Sequence, residues 1–275
     1  MIDAVSDQPS RNKPSRVDKA IADILSAVDY WPLWSRLAWQ DVRQQYRGSV
    51  LGPLWLTISM SLMVGTLGVL YSQLFKIEIQ EYLPFLALGI IVWGLILGLV
   101  SDGTKAFVAN AEIMKQIPLP VMTHVFRLVW RNFIIFFHNI VIYVVVAIWF
   151  SISPGLTLLW VVPGLLIICM TALAVGLILG MLSARYRDVP QMIMSVMQIA
   201  FFISPIMWSP KLVPERAFII DYNPIYHFIE LVRGPLLGGM PDGWSFVMTL
   251  GTMAVLWAVA FSLLVSFRNR ITYWL

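Results

Sequence analysis

The ionisable residues of this chain that fall on shared helical faces are mainly basic, and their spacing suits the recognition of charge rather than bond-breaking chemistry. Arg36, Gln40, Arg43 and Arg47 recur at intervals of four, three and four, which puts them on one face of a helix. Trp31, Trp34, Ala38, Val42 and Tyr46 take another face. A helix with Trp on one side and Arg on the other lies in the membrane interface, here with its apolar face on lipid and its basic face towards a cytoplasmic subunit. His124, Arg127, Arg131 and His138 also share a face, at intervals of three, four and seven. The first three belong near headgroups, where long side chains snorkel; the deeper His138 is expected to make an interhelical hydrogen bond, with a direct part in transport as the other reading. In ARYRDVP, snorkelling accounts for Arg185 and Arg187, whereas Asp188 between them and Pro190 reads as a specific ion bridge. Glu230 and Arg233 are spaced i to i+3 to pair on one helical face.

Catalytic machinery is missing from this pattern. There is no Gly-rich Walker A loop, no HExxH and no soluble stretch large enough for a nucleotide site, so any energised work draws on another chain. Only His138 and Glu230 are placed to serve a membrane-embedded glycosyl- or acyltransferase, and the lack of an intramembrane acid relay argues against proton coupling. Cys169 is the single cysteine, which excludes an intramolecular disulfide and points away from a thiolate metal site.

Composition supplies the elements that position these groups. Of 275 residues, 59% are hydrophobic and 12% charged, with a mean hydropathy of +0.78. A soluble domain carries about 25% charged residues, so most of this surface must face lipid. The net charge of +4 reflects cytoplasmic loops and not a nucleic-acid partner. Six stretches approach the roughly 20 apolar residues that a spanning helix needs, over residues 53–75, 82–101, 128–150, 157–182, 191–209 and 245–267. Backbone groups in lipid must be satisfied internally, so these are helices. With the N-terminus inside, fifteen of the nineteen Lys and Arg fall on the cytoplasmic side, and only Lys76, Lys211, Arg216 and Arg233 outside. The positive-inside rule therefore gives both ends in the cytoplasm. The expected fold is all-α and polytopic: a cytoplasmic tail over 1–29 without a signal-peptide h-region, the amphipathic interface helix within 30–52, six spans over 53–267 and a cytoplasmic end at 268–275.

Three connections are not plain loops. Between spans two and three, the short helix-competent AEIMKQI, stopped by Pro118 and Pro120, makes a handle that a partner can push. Between spans five and six, the apolar, Pro- and Gly-rich stretch after residue 209 reads as short re-entrant pieces separated by Asn223-Pro224, dipping partway into the membrane from outside. The Gly94/Gly98 and Gly176/Gly180 pairs suggest close helix packing.

Four stretches in order resemble the permease subunit of ABC type-2 polysaccharide exporters. They are Arg43-Gln-Gln-Tyr46-Arg47-Gly-Ser49-Val-Leu51-Gly52-Pro53-Leu-Trp55, Asn110-Ala111-Glu112-Ile113-Met114-Lys115 with Pro118 and Pro120, Ala184-Arg185-Tyr186-Arg187-Asp188-Val189, and Ser204-Pro205-Ile206-Met207-Trp208 followed by Asn223-Pro224-Ile225-Tyr226 and Arg233-Gly-Pro-Leu-Leu-Gly238. The Lys115-Gln-Ile-Pro stretch lacks the aromatic that the family more often carries before proline. The ending is most similar to that of O-antigen (lipopolysaccharide) exporters, with capsule, teichoic-acid, lipid and drug exporters as relatives. The resemblance implies a homodimer in the bacterial inner membrane, served by two cytoplasmic subunits that bind ATP and Mg, this chain binding no cofactor or metal. It implies ATPase coupling through Arg43, Arg47, Asn110, Glu112, Met114, Lys115, Arg185, Arg187 and Asp188. It also implies attraction of a polyisoprenyl-diphosphate-linked glycan by Arg36, Arg43 and Arg47. The implied glycan pathway and outer gate include Tyr71, Trp93, Phe201, Phe202, Trp208, Tyr222, Tyr226, Glu230 and Arg233, although an interfacial belt explains the aromatics equally well.

Overall fold

A computed structural model describes residues 15–45, 47, 52, 54–210 and 218–275. Tyr46, Ser49, Leu51, Pro53, Lys211 and Arg216 lie outside the described residues. All regular structure among the described residues is helical. In chain order the helices are α1 (Arg16–Asp29), α2 (Trp31–Gln45), α3 (Leu54–Phe75), α4 (Ile79–Lys105), α5 (Ala111–Gln116), α6 (Val121–Trp149), α7 (Val161–Arg185), α8 (Val189–Ile203), α9 (Phe218–Asp221), α10 (Pro224–Leu236), α11 (Gly243–Phe267) and α12 (Ile271–Trp274).

Among the described residues five helical runs are long and apolar enough to cross a membrane: α3, α4, α6, Gly155–Arg185 including α7, and Gly243–Trp274 including α11. They match five of the six expected spans within a few residues, except that α6 begins seven residues early, directly after Pro120, and the last run continues seven residues past 267. The remaining stretch, 191–209, holds only the 15-residue α8. At 1.5 Å per residue that is about 22 Å, short of the roughly 30 Å hydrocarbon core. Its stop has a local cause. Pro205 disfavours the helical region for the residue before it, and Ser204 is accordingly extended, with φ −80° and ψ 140°.

The bundle is centred on α4, α6 and α7. In α4 and α7, 61% of the apolar window is buried, against 11% in α3 and α11, whose faces turn outward. Glycines permit the closest approaches. A Cβ on Gly176 would stand 2.9 Å from Val125 Cγ1, one on Gly180 2.9 Å from the Phe107 ring, and one on Gly164 2.7 Å from the Leu231 carbonyl oxygen. Gly94 meets only the end of Met60, at 3.4 Å, so it is not a packing glycine. Gly164→Ala should cost about 1–3 kcal/mol through overpacking against backbone, read as a lower unfolding midpoint in detergent, whereas Gly94→Ala should cost almost nothing.

One end of the bundle gathers the start of α3, the end of α4, α5, the start of α6, the end of α7 and the end of α11. There α1 and α2 pack on α6, and α12 packs on α5 and α7. Residues 16–29, read from sequence as tail, form a docked helix. Ser15 caps it and Asp18 returns the bond in a capping box. Buried Asp23 accepts from the N–H groups of Val121 and Met122, both at 3.1 Å, and from Arg268 Nε at 3.0 Å. One carboxylate thus caps α6 from another helix and ties down the end of α11. Asp23→Ala removes a cap and an ion pair together, so it should cost about 1–3 kcal/mol, and Asp23→Asn should restore part of the lost unfolding midpoint.

Trp34, Ala38 and Val42 of the apolar face of α2 pack on α6, while Trp31 of that face stays exposed. Ala38 and Val42 are buried against Ile134 of α6. Trp34 stacks on Phe126 at 5.5 Å and donates to the Ala27 carbonyl at 3.1 Å. The neighbouring α6 offers an apolar surface that satisfies the same hydrophobic requirement as lipid would. Trp31 and Trp39 remain exposed.

Candidate functional site

Two polar clusters stand at opposite ends of the bundle. At the end carrying α1 and α2, Arg127 of α6 is the hub. Its guanidinium meets Asp41 of α2 in bidentate fashion, at 2.8 and 2.6 Å, and donates to Asn110 Oδ1 at 3.0 Å. Asn110 in turn donates to the Ala106 carbonyl at 2.8 Å. A planar guanidinium on a carboxylate is a strong and directional contact, so α2, the segment before α5, and α6 are fastened at one point. Alongside, Arg131 pairs with Asp102 of α4, whose Oδ2 also accepts from Asn132 at 2.7 Å.

From this base α5 projects with Glu112 and Lys115 exposed and Met114 half-buried. Among the described residues neither Glu112 nor Lys115 has an ion-pair partner. Exposed Val108, Ile113 and Ile117 flank them. Charges flanked by exposed apolar side chains suit contact with another protein. Arg36 and Arg43 are exposed as well, on the side of α2 turned away from α6, and Arg47 is exposed beyond the end of that helix. The Arg185–Asp188 corner differs from expectation. Arg185 lies over the rings of Tyr186 and Trp274, at 5.4 and 5.3 Å, and Arg187 and Asp188 are exposed. Asp188 makes no ion bridge among the described residues; the ring faces of Tyr186 and Trp274 hold the neighbouring guanidinium instead.

At the other end the hub is Arg233 of α10, 1% exposed. It donates to Glu230 Oε2 from Nε and Nη2, at 3.0 and 2.8 Å, and from Nη1 to the Pro205 carbonyl at 2.9 Å. Its guanidinium carbon lies 4.0 Å above the Phe85 ring centroid. The turn after α8 is pinned by two further side chains. Asn223 Nδ2 donates to Ser204 Oγ at 2.9 Å while its Oδ1 caps α10 through the N–H groups of Ile225 and Tyr226. Tyr82 donates its hydroxyl to the Met207 carbonyl. Beneath, Gly89 lets the Ile206 carbonyl approach α4; a Cβ there would stand 2.6 Å from its oxygen. Residues 204–207 are thus clasped between α4 and α10.

The aromatics expected along a pathway divide into groups. Tyr71, Phe75, Tyr82 and Phe85 form a row with centroid separations of 5.5, 6.0 and 6.5 Å, ending at Arg233. Trp93, buried, meets Phe201 at 5.4 Å, which meets the exposed Phe202 at 5.3 Å. Trp208 donates to the Phe202 carbonyl at 3.4 Å. Tyr222 stands apart with Phe218 and Trp244, and Tyr226 rests on His227. Sequence reasoning missed Asp41, Asp102, Tyr82 and Phe85, whose partners are remote in the chain.

Each candidate for transferase chemistry has one polar atom engaged within its own helix. His138 Nδ1 lies 2.7 Å from the Ile134 carbonyl of its own helix, so its bond is intrahelical and not interhelical as expected. Both donors of Arg233 on its Glu230 side converge on one carboxylate oxygen. Among the described residues no group of three His, Cys, Asp or Glu is gathered as for a metal.

The chain matches the family described as ABC-2 type transporter over residues 32–237, a range that holds both clusters. It is similar to the O-antigen export system permease protein RfbA of Klebsiella pneumoniae, at 24% identity over 202 residues, covering 73% of this chain and 78% of that one. A second RfbA of that organism is 23% identical over 203 residues, with the same coverages. The RfbA of Myxococcus xanthus is 21% identical over 203 residues, covering 71% of this chain and 76% of its own.

Proposed function

Given that the chain belongs to the ABC-2 type transporter family and is a multi-pass membrane protein, we propose that it is the channel-forming subunit of an ATP-driven exporter of a polyisoprenyl-diphosphate-linked polysaccharide, with O-antigen as the substrate class. Two copies pair in the bacterial inner membrane, each crossing six times with both ends in the cytoplasm. The short α8 and the turn after it form the fifth crossing, and α9 and α10 return from outside without traversing. Two cytoplasmic subunits supply ATP, Mg and the hydrolytic site. The relatives that bear the name of O-antigen export permeases support the substrate class.

The observation that carries the powered-from-outside reading is α5. It offers Glu112 and Lys115, unpaired among the described residues, and its base is fastened through Asn110, Arg127 and Asp41 to both α2 and α6. A push on α5 therefore moves three elements as one. Arg43, Arg47 and the Arg185–Asp188 corner complete the docking face. Arg36, Arg43 and Arg47 draw the lipid diphosphate to its entrance. At the outer end, the Arg233–Glu230 clasp on residues 204–207 is the gate, and the row from Tyr71 to Phe85 gives sugar rings apolar faces to slide on.

The test is co-expression with a candidate ATPase partner. The two chains should elute together, and hydrolysis should vanish when the partner's nucleotide site is disabled. A chain that elutes alone and transfers a glycosyl or acyl group without ATP would be a transferase instead.

A further inference from the structure

We propose that α1, together with the end of α11, is a binding site for an anionic phospholipid headgroup in the leaflet on the N-terminal side of the membrane. The site is a polar cavity of about 210 Å³ lined by Arg16, Lys19, Ser266, Arg268, Asn269 and Arg270, with Leu264 and Val265 beneath. Arg268 is fixed by Asp23 Oδ1 and the Lys19 carbonyl, at 3.0 and 3.2 Å. That pair consumes the buried acid. Among the described residues Arg16, Lys19 and Arg270 have no acidic partner, so three cations converge on the cavity with no described carboxylate to neutralise them. The group that fits is a phosphate ester.

The helix beside the cavity says which ester. Turned inward are Ala20, Asp23 and Ala27. A second face is polar, with Asp18, Lys19 and Asp29 exposed. The third is an exposed apolar stripe of Val17, Ile21, Leu25 and Val28, at 44, 43, 63 and 49% exposure. One face on protein, one polar and one apolar is the pattern of a helix lying at a bilayer surface. The helix itself packs on α11, a run of membrane-crossing length. A cavity of this size is also smaller than the roughly 300–1,000 Å³ of pockets that enclose whole small molecules, so it holds a headgroup alone, while the stripe seats the helix on the same lipid surface. The α1 helix lies outside the residues that match the family, so this site is independent of the proposed export function.

Binding of phosphatidylglycerol, phosphatidylcholine and inorganic phosphate to the purified full chain in detergent, followed by native mass spectrometry, tests this. Wild type should hold phosphatidylglycerol at least about 10-fold tighter than phosphatidylcholine, since each basic residue near an anionic surface adds substantially to attraction. R16Q, K19Q and R270Q combined should abolish that preference. Val17→Ser, Ile21→Ser and Leu25→Ser together, which leave every charge in place, should weaken phosphatidylglycerol binding. Lys105→Gln, an exposed cation at the same end of the bundle, should change nothing. Undiminished phosphatidylglycerol binding by the triple glutamine variant would overturn the proposal. So would displacement of the lipid by inorganic phosphate at equal concentration, which would mark a site for a soluble anion.

Discussion

Replacing Glu112 and Lys115 together with alanine should lower ATP-driven export by at least about 100-fold, because two hydrogen bonds to charged groups across an interface contribute about 1.5–3 kcal/mol each and every 1.4 kcal/mol is tenfold. Nothing in the chain itself should respond. Both side chains are exposed and unpaired among the described residues, and substitutions at such positions change stability by about 0.5 kcal/mol or less. The separation of the two effects is what assigns the residues to coupling. Arg127→Ala gives the contrast. It breaks the tie among Asp41, Asn110 and α6, so it should lower both stability and export. Export assays on membranes with matched levels of each variant, beside unfolding midpoints in detergent, measure the difference. Unchanged export by the double alanine variant would remove α5 from the docking face.

Arg233→Met should be the most damaging single change in stability. Removing one partner of a buried ion pair costs about 3–5 kcal/mol, since the remaining charge keeps its desolvation penalty. Glu230 is 27% exposed, so solvent relieves part of that penalty and the lower end of the range applies. The Pro205 carbonyl loses its donor at the same time. About 3 kcal/mol corresponds to an unfolding midpoint roughly 6–12 °C lower for a chain of this size. Arg233→Lys should recover little, because a single ammonium cannot reach Glu230 and Pro205 from a planar fork while lying on the Phe85 ring. Pairing Arg233→Met with Glu230→Gln should return part of the loss in stability yet leave the gate defective. A midpoint within about 2 °C of wild type for Arg233→Met would mean that the clasp is not structural.

How much of this was legible in sequence depends on the separation between partners. Hydropathy located the long helices because lipid imposes a length and an apolar composition on each span locally. The pairing of Glu230 with Arg233 was readable for the same reason, as a contact within one helical turn. The contact of Arg233 with Pro205 spans 28 residues, that of Arg127 with Asp41 spans 86 and that of Arg268 with Asp23 spans 245. No local periodicity encodes such distances. The packing of Ala38 and Val42 on α6 is not legible in sequence, because an amphipathic pattern specifies an apolar neighbour without saying whether it is lipid or Ile134. Asp23 reads in sequence as a charge in a polar tail, since its role is to cap a helix that starts nearly one hundred residues later. The shortness of α8 was foreseeable in principle: Pro205 interrupts an apolar run that hydropathy alone carries on to residue 209.

The most direct measurement is translocation in proteoliposomes that contain this chain, its ATPase partner and a polyisoprenyl-diphosphate-linked glycan. Glycan should become protected from an external glycosidase only when both chains and hydrolysable ATP are present, and the Glu112–Lys115 double variant should lose that protection. Protection gained by this chain alone, or without ATP, would contradict an externally powered channel.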